Sequence, residues 1–399
     1  MKKLLILFIV VCPLFLNGQE KSHLLMKAKA MVQSGKPDDA INLLATVSIN
    51  EADASIYLSR AEAYIASGDY SRAIDDFYSA NKISPASGEY GLARIYALRG
   101  DAATSVYHLE QCLKSAFKKS EKDIMLDPSF SPVENKPEWR QFWKKEWYTK
   151  EEKGVSEIEY YISTGNIDEA KAIFSKLSGE YSGNPTTLYG GALINVASVR
   201  YGDAIKTLTS LLAEDADNEK YLRLLVKAQE ASGNFAGASD TYYRIINSGV
   251  PDPELLVSRA ECFRKTGEID KAAEIIKEYL EIYPESVKGI GIAGRLESAR
   301  GDNLKALEYF NSNVRLHPSH PQCYIDRGNS YFLSRSWDWA IKDYSMSLDL
   351  QPGNAEAWLN KGISLLNSGK VDDACFDFRM SLSLGYRKAT EYISRHCIR

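Results

Sequence analysis

The stretch Ala355–Tyr386, AEAWLNKGISLLNSGKVDDACFDFRMSLSLGY, decides the fold. Trp358, Leu359, Gly362 and Leu365 recur at three- and four-residue spacing, which predicts one amphipathic helix. Gly369 ends that helix, where a left-handed residue closes the last turn. Ala374, Phe378 and Leu382 then line a second stripe at four-residue spacing. Gly362 and Ala374 are small enough for the two helices to approach closely, and Phe378 fills the space beside them. The unit is a helix–turn–helix whose two apolar faces meet.

The same signature returns along the chain as GDYSRAIDDF from Gly68, GNIDEAKAIF from Gly165 and GEIDKAAEII from Gly267. Aligned on the small residue, the copies fall at Ala40, Ala73, Ala170, Ala204, Ala238, Ala272, Ala306, Ala340 and Ala374, with Ser105 in the third copy. The last seven are 34 residues apart, the length of a helix–turn–helix repeat. Catalytic motifs normally occur once, so a motif repeated in this way is architecture. Glycine stands at the turn as Gly35, Gly68, Gly100, Gly165, Gly233, Gly267, Gly301 and Gly369, while Val199 and Arg335 take its place in two copies. Pro85, Pro284, Pro318 and Pro352 close second helices, because proline cannot continue a helix and suits the first turn of the next.

This pattern resembles the tetratricopeptide repeat family, with units beginning near Lys21, Ala54, Ala86, Glu151, Pro185, Glu219, Pro253, Val287, Pro321 and Ala355. The resemblance implies an all-α, right-handed superhelical solenoid of 34-residue helix-turn-helix repeats. It also implies a concave surface, lined by the first helix of each pair, that binds peptides or protein segments. By the family's register that lining includes Glu261, Arg264, Arg295, Asn329, Phe332 and Asn360. Asn329 and Asn360 match asparagines that hold a peptide's terminal carboxylate in the carboxylate-clamp subfamily. Ile325 stands where the clamp lysine would be, so ordinary helix-surface asparagines are the reading adopted.

The chain has 399 residues, 44% hydrophobic and 26% charged, with a formal net charge of −4. Such a composition belongs to a folded chain, and its mild acidic excess gives no electrostatic reason to expect nucleic acid or anionic lipid. Lys2 and Lys3 precede the apolar run Leu4–Leu16 and then Asn17-Gly18. That order reads as a secretory signal peptide cut after Gly18, too short for the roughly 20 residues of a membrane span. A lipoprotein modified at Cys12 and an uncleaved anchor are the alternatives. The absence of an Asn-x-Ser/Thr acceptor leans towards a Gram-negative bacterial export route, with a periplasmic or outer-membrane-associated product. The organisation expected is 1–18 signal peptide, 19–119 three repeats, 120–150 a Trp-rich insertion or degenerate repeat, 151–388 seven regular repeats, and 389–399 a capping helix with a polar outer face.

In the insertion, Pro128, Pro132 and Pro137 exclude a continuous helix before residue 137. A helix is expected after Pro137, with Trp139, Phe142, Trp143 and Trp147 along one stripe and Arg140, Lys144 and Lys145 facing away. The stripe is expected to pack between the third and fourth regular repeats; an exposed docking ridge is the alternative. Cys112, Cys262, Cys323, Cys375 and Cys397 are expected to be buried thiols, and Cys375–Cys397 is the favoured pair if a disulfide forms.

The chain carries none of the HExxH, CxxC, GxSxG or phosphate-loop patterns. His317 and His320 lie three apart at a repeat junction without a neighbouring ligand in sequence, and Asp75-Asp76 and Asp372-Asp373 read as solvent-facing charges. No cofactor, metal, nucleic acid or catalysis is expected. The functional expectation is a scaffold or adaptor for an envelope complex whose membrane contact is indirect, with a periplasmic chaperone-like binder of extended peptides as the alternative.

Overall fold

The computed structural model describes residues 18–47 and 53–397. The expected signal peptide lies almost wholly outside the described residues, which begin with Gly18 at the start of a helix. Among the described residues all regular structure is helical. The chain divides into two compact units, Met1–Pro253 and Glu254–Arg399. The division falls between two regular helix pairs and not at the insertion.

First helices of the pairs begin at the expected register: Pro185–Ala197, Glu219–Ala231, Val287–Arg300, Pro321–Leu333 and Ala355–Asn367. Each is followed by a tight turn and a second helix, as in Pro321–Leu333 with Trp337–Leu350 and Ala355–Asn367 with Val371–Ser383. The turn requires a left-handed residue, and Gly369 supplies it at φ +77°. Val199 and Arg335 adopt the same region at +62° and +59°, as the two substituted turns require. The small residue after the turn is fully buried at Ala73, Ala170, Ala204, Ala238, Ala272, Ala306, Ala340 and Ala374. Gly362 meets the ring that fills the pair: a Cβ there would lie 2.6 Å from Phe378. Gly328 faces Tyr344 and Gly294 faces Phe310 in the same way, so one ring-on-glycine contact is repeated through the second unit.

A buried ion pair also repeats, sixteen residues from the first helix to the second. Arg60 and Asp76 form a two-bond fork at 2.8 Å each, as do Arg327 and Asp343, and Lys361 reaches Asp377 at 3.3 Å. This corrects the solvent-facing reading of Asp76, which is 6% exposed because Arg60 on the facing helix takes its carboxylate. Asp75, Asp372 and Asp373 are exposed as expected.

The first unit carries a contact absent from the repeat logic. Ser22, Met26 and Ala30, spaced by one turn on helix Gly18–Gln33, are buried, and Ser22 Oγ donates to the Ile246 carbonyl at 2.8 Å. The first helix therefore touches the second helix of the sixth pair, Phe235–Asn247, as well as its own neighbours.

The insertion folds differently from the helix expected. Helix Pro137–Phe142 stops after six residues, so Trp139 lies in it, Trp143 caps it, and Trp147 falls beyond it. The chain turns because the Trp147 indole N–H donates to the Phe142 carbonyl at 2.8 Å and its ring stacks on Phe142 at 4.8 Å. The tryptophans are packed nonetheless: Trp139 and Phe142 are buried, with Trp143 and Trp147 against them. The cluster's other buried members are Ile124, Phe130 and Val133 of the insertion and Ala93, Ala97, Ala102, Leu109 and Leu113 of the third pair. The aromatic stripe covers the third pair, and no residue of the fourth pair is among this cluster's members.

Cys112, Cys262 and Cys323 are buried thiols, and Cys375 is bonded to Cys397. That bond ties the last helix, Ala389–His396, to Val371–Ser383.

Candidate functional site

Three successive first helices of the second unit present polar residues to one cavity of about 570 Å³. Their starts are fixed locally. Ser286 Oγ accepts from the Gly289 N–H, Pro321 occupies the first turn of its helix, and Asn354 Oδ1 accepts from the Ala357 N–H. Arg295 comes from the first of these helices, Asp326 and Asn329 from the second, and Asn360 from the third. Tyr344, on the second helix of the ninth pair, completes the wall.

Arg295 Nη1 donates to Asp326 Oδ2 at 2.7 Å, and Gln322 Nε2 donates to Oδ1 at 3.0 Å. Asp326 is only 4% exposed, and its burial pushes the carboxyl above the ordinary aspartate value although Arg295 opposes this. Gly291 makes the placement possible, since a Cβ there would sit 2.7 Å from Asp326 Oδ2. The Arg295 side chain itself remains half exposed. The Tyr344 hydroxyl donates to Asn329 Oδ1 at 2.7 Å, which occupies the acceptor end of that amide. The cavity therefore offers a guanidinium and side-chain amides, chemistry suited to carbonyl and carboxylate oxygens.

Of the six residues expected on the binding surface, Arg295, Asn329 and Asn360 line this cavity. Glu261 and Arg264 instead bind each other by a two-bond fork at 2.7 and 2.8 Å. Phe332 packs beside Tyr344 and Leu348 and meets Trp337 edge-on at 5.4 Å. Asp326, Gln322 and Tyr344 were not among the residues the sequence singled out, because Asp326 and Tyr344 act through contacts between helices and Gln322 acts through Asp326.

A second groove, of about 710 Å³, lies in the first unit where the insertion meets the fourth to sixth pairs. Tyr148, Tyr160, Tyr161, Tyr189 and Tyr221 line it. Tyr189 and Tyr221 are 5.5 Å apart between ring centres, and burial pushes both hydroxyls up. Lys118 pairs with Glu152 at 2.8 Å and lies over the Tyr148 ring, while the Tyr148 hydroxyl donates to the Lys119 carbonyl. Among the described residues no group of three or more His, Cys, Asp or Glu is placed to hold a metal ion. No described helix is long and apolar enough to cross a membrane.

The helix pairs, their left-handed turns and their 34-residue spacing define a helical-repeat protein. Residues 25–88 match the family model described as tetratricopeptide repeat. Residues 156–281 match the model described as coatomer epsilon subunit. No curated protein matches the chain. Among solved structures it is similar to a tetratricopeptide repeat protein from Parabacteroides merdae ATCC 43184, with 18% identity, 61% of this chain and 97% of that one covered, and a TM-score of 0.49. The Cut9–Hcn1 hetero-tetramer of the APC/C gives 14% identity over 92% of this chain and 82% of that one, with a TM-score of 0.43. Yeast Tom70 gives 13% identity over 94% and 96%, with a TM-score of 0.41.

Proposed function

We propose that the chain is a non-catalytic interaction scaffold of the cell envelope that holds a segment of a partner protein along the first helices of its second unit. The observation carrying this reading is the cavity in which Arg295, Asn329 and Asn360 converge from three consecutive repeats. A run of polar side chains on stacked helices suits an extended chain, whose backbone oxygens recur regularly. Arg295 is oriented before any ligand arrives because Asp326 and Gly291 fix its place, which lowers the ordering cost of binding. Export to the periplasm, by cleavage after Gly18, is part of the same proposal and rests on the N-terminal sequence.

The tyrosine-lined groove of the first unit favours a second reading, chaperone-like capture of extended peptides. Tyrosine offers rigid, amphipathic contact area with little dependence on sequence. Proximity labelling in the native host separates the two. A small set of envelope proteins whose recovery falls with Arg295→Ala supports the scaffold, whereas many unrelated chains retained by that variant and lost with Tyr189→Ala support the chaperone. Labelling confined to cytosolic proteins would refute the envelope location.

A further inference from the structure

We propose that the terminal helix Ala389–His396 is a redox latch on the end of the repeat array, closed by the Cys375–Cys397 disulfide and released when that bond is reduced. The helix has eight residues, too few to persist alone in water. Its apolar hold is thin: Ala389 is its one fully buried residue, Tyr392 stacks on Phe378 at 5.0 Å, and Ile393 is partly buried.

Polar ties to the repeats are lacking among the described residues. Within the helix, Arg395 pairs with Glu391 and Ser394 donates to the Glu391 carbonyl, both local contacts. The strongest link between this helix and the last pair is thus the covalent one, which closes a loop of 22 residues.

The two ends of the bond differ in access. Cys375 is buried in Val371–Ser383, whereas Cys397 is partly exposed at the end of the helix. A thiolate from solvent can reach the Cys397 sulfur first. With a dithiol reductant the exchange balances: the reductant's two thiols become its own disulfide, and Cys375 and Cys397 each leave as a thiol. Closure is the reverse, with an oxidised dithiol–disulfide exchange partner accepting the two electrons and two protons. Cys112, Cys262 and Cys323 are buried thiols, and Cys375–Cys397 is the disulfide among the described residues.

The test is amide hydrogen exchange on the full-length protein, oxidised and after treatment with dithiothreitol, alongside a non-reduced peptide map. Reduction is expected to accelerate exchange in Ala389–His396 on the order of a hundredfold, with Ala355–Asn367 little changed. Cys397→Ser is expected to show the fast exchange in both conditions, so that dithiothreitol no longer has an effect. Equal protection of the helix in oxidised and reduced protein would overturn the latch, as would a map in which purified oxidised protein lacks the Cys375–Cys397 peptide pair.

Discussion

Breaking the Arg327–Asp343 pair should cost more from one side than from the other. Asp343 is 2% exposed and accepts two guanidinium hydrogen bonds of 2.8 Å. Arg327 is less enclosed, donates a further bond to Asn311 at 3.0 Å, and lies over the Tyr324 ring. Removing Asp343 leaves a cation that keeps Asn311 and some water, so Asp343→Ala should cost about 3 kcal/mol. Removing Arg327 strands a carboxylate with almost no solvent, so Arg327→Ala should cost about 5 kcal/mol. The double variant Arg327→Met/Asp343→Leu replaces both charges with apolar groups of similar length and should lie within about 2 kcal/mol of the parent. Urea unfolding followed by circular dichroism reads the three, with hydrogen exchange in Pro321–Leu333 and Trp337–Leu350 reporting the local effect. Repeat arrays unfold in parts, so the local measurement decides where the two disagree. Equal, small losses from both single variants would refute the claim that this pair is buried between the helices.

Gly362→Ala should destabilise the last pair by about 1–3 kcal/mol, because its Cβ would sit 2.6 Å from Phe378, and Gly353→Ala, with nothing within 4 Å, serves as the neutral control in the same unfolding assay. Phe142→Ala should cost about 3–5 kcal/mol and speed exchange through residues 121–147, since Phe142 is 1% exposed among three tryptophan rings. Burial pushes the Asp377 carboxyl up to about 6, against the opposing pull of Lys361. A carboxyl that holds its proton more tightly when folded stabilises the protonated array. The folded state therefore loses roughly 3 kcal/mol as pH rises from about 4 to above 6. Asp377→Asn should flatten the unfolding midpoint across that window, and an unchanged slope would contradict the shift.

Register was legible in the sequence because it is set by residues with little conformational choice. The left-handed turn at Gly369 and its counterparts fixes where each pair reverses, and proline at Pro321 fixes where a first helix starts. Even Val199 and Arg335, which lack the glycine, hold the turn at positive φ because the repeats on either side impose it. The Trp stripe misled for a local reason: spacing at residues 139, 142, 143 and 147 fits a helix, but the Trp147 indole takes the Phe142 carbonyl and ends it. Asp76 was misread because its partner sits on the facing helix. The recurrence of a basic residue sixteen before a buried aspartate, at Arg60, Arg327 and Lys361, was the available signal.

The candidate site was legible only in part. Arg295 and Asn329, 34 residues apart, occupy equivalent first-helix positions that share a face, and Asn360 lies one turn before the next such position. Asp326 shares its register with Asn360, 34 residues on, but its place beneath Arg295 depends on Gly291 leaving room across two pairs. The tyrosine groove was hidden for the same reason, as it joins the insertion to Tyr189 and Tyr221 from helices dozens of residues away.

The central claim, that the second unit holds a partner segment through Arg295, Asn329 and Asn360, is tested most directly by affinity capture from the native envelope. The full chain is compared with the triple variant Arg295→Ala/Asn329→Ala/Asn360→Ala, after both show the same unfolding midpoint. Loss of a stoichiometric partner from the variant, with at least tenfold weaker binding once that partner is purified, is the predicted result. Undiminished capture by the variant would contradict the account and move the binding surface elsewhere on the chain.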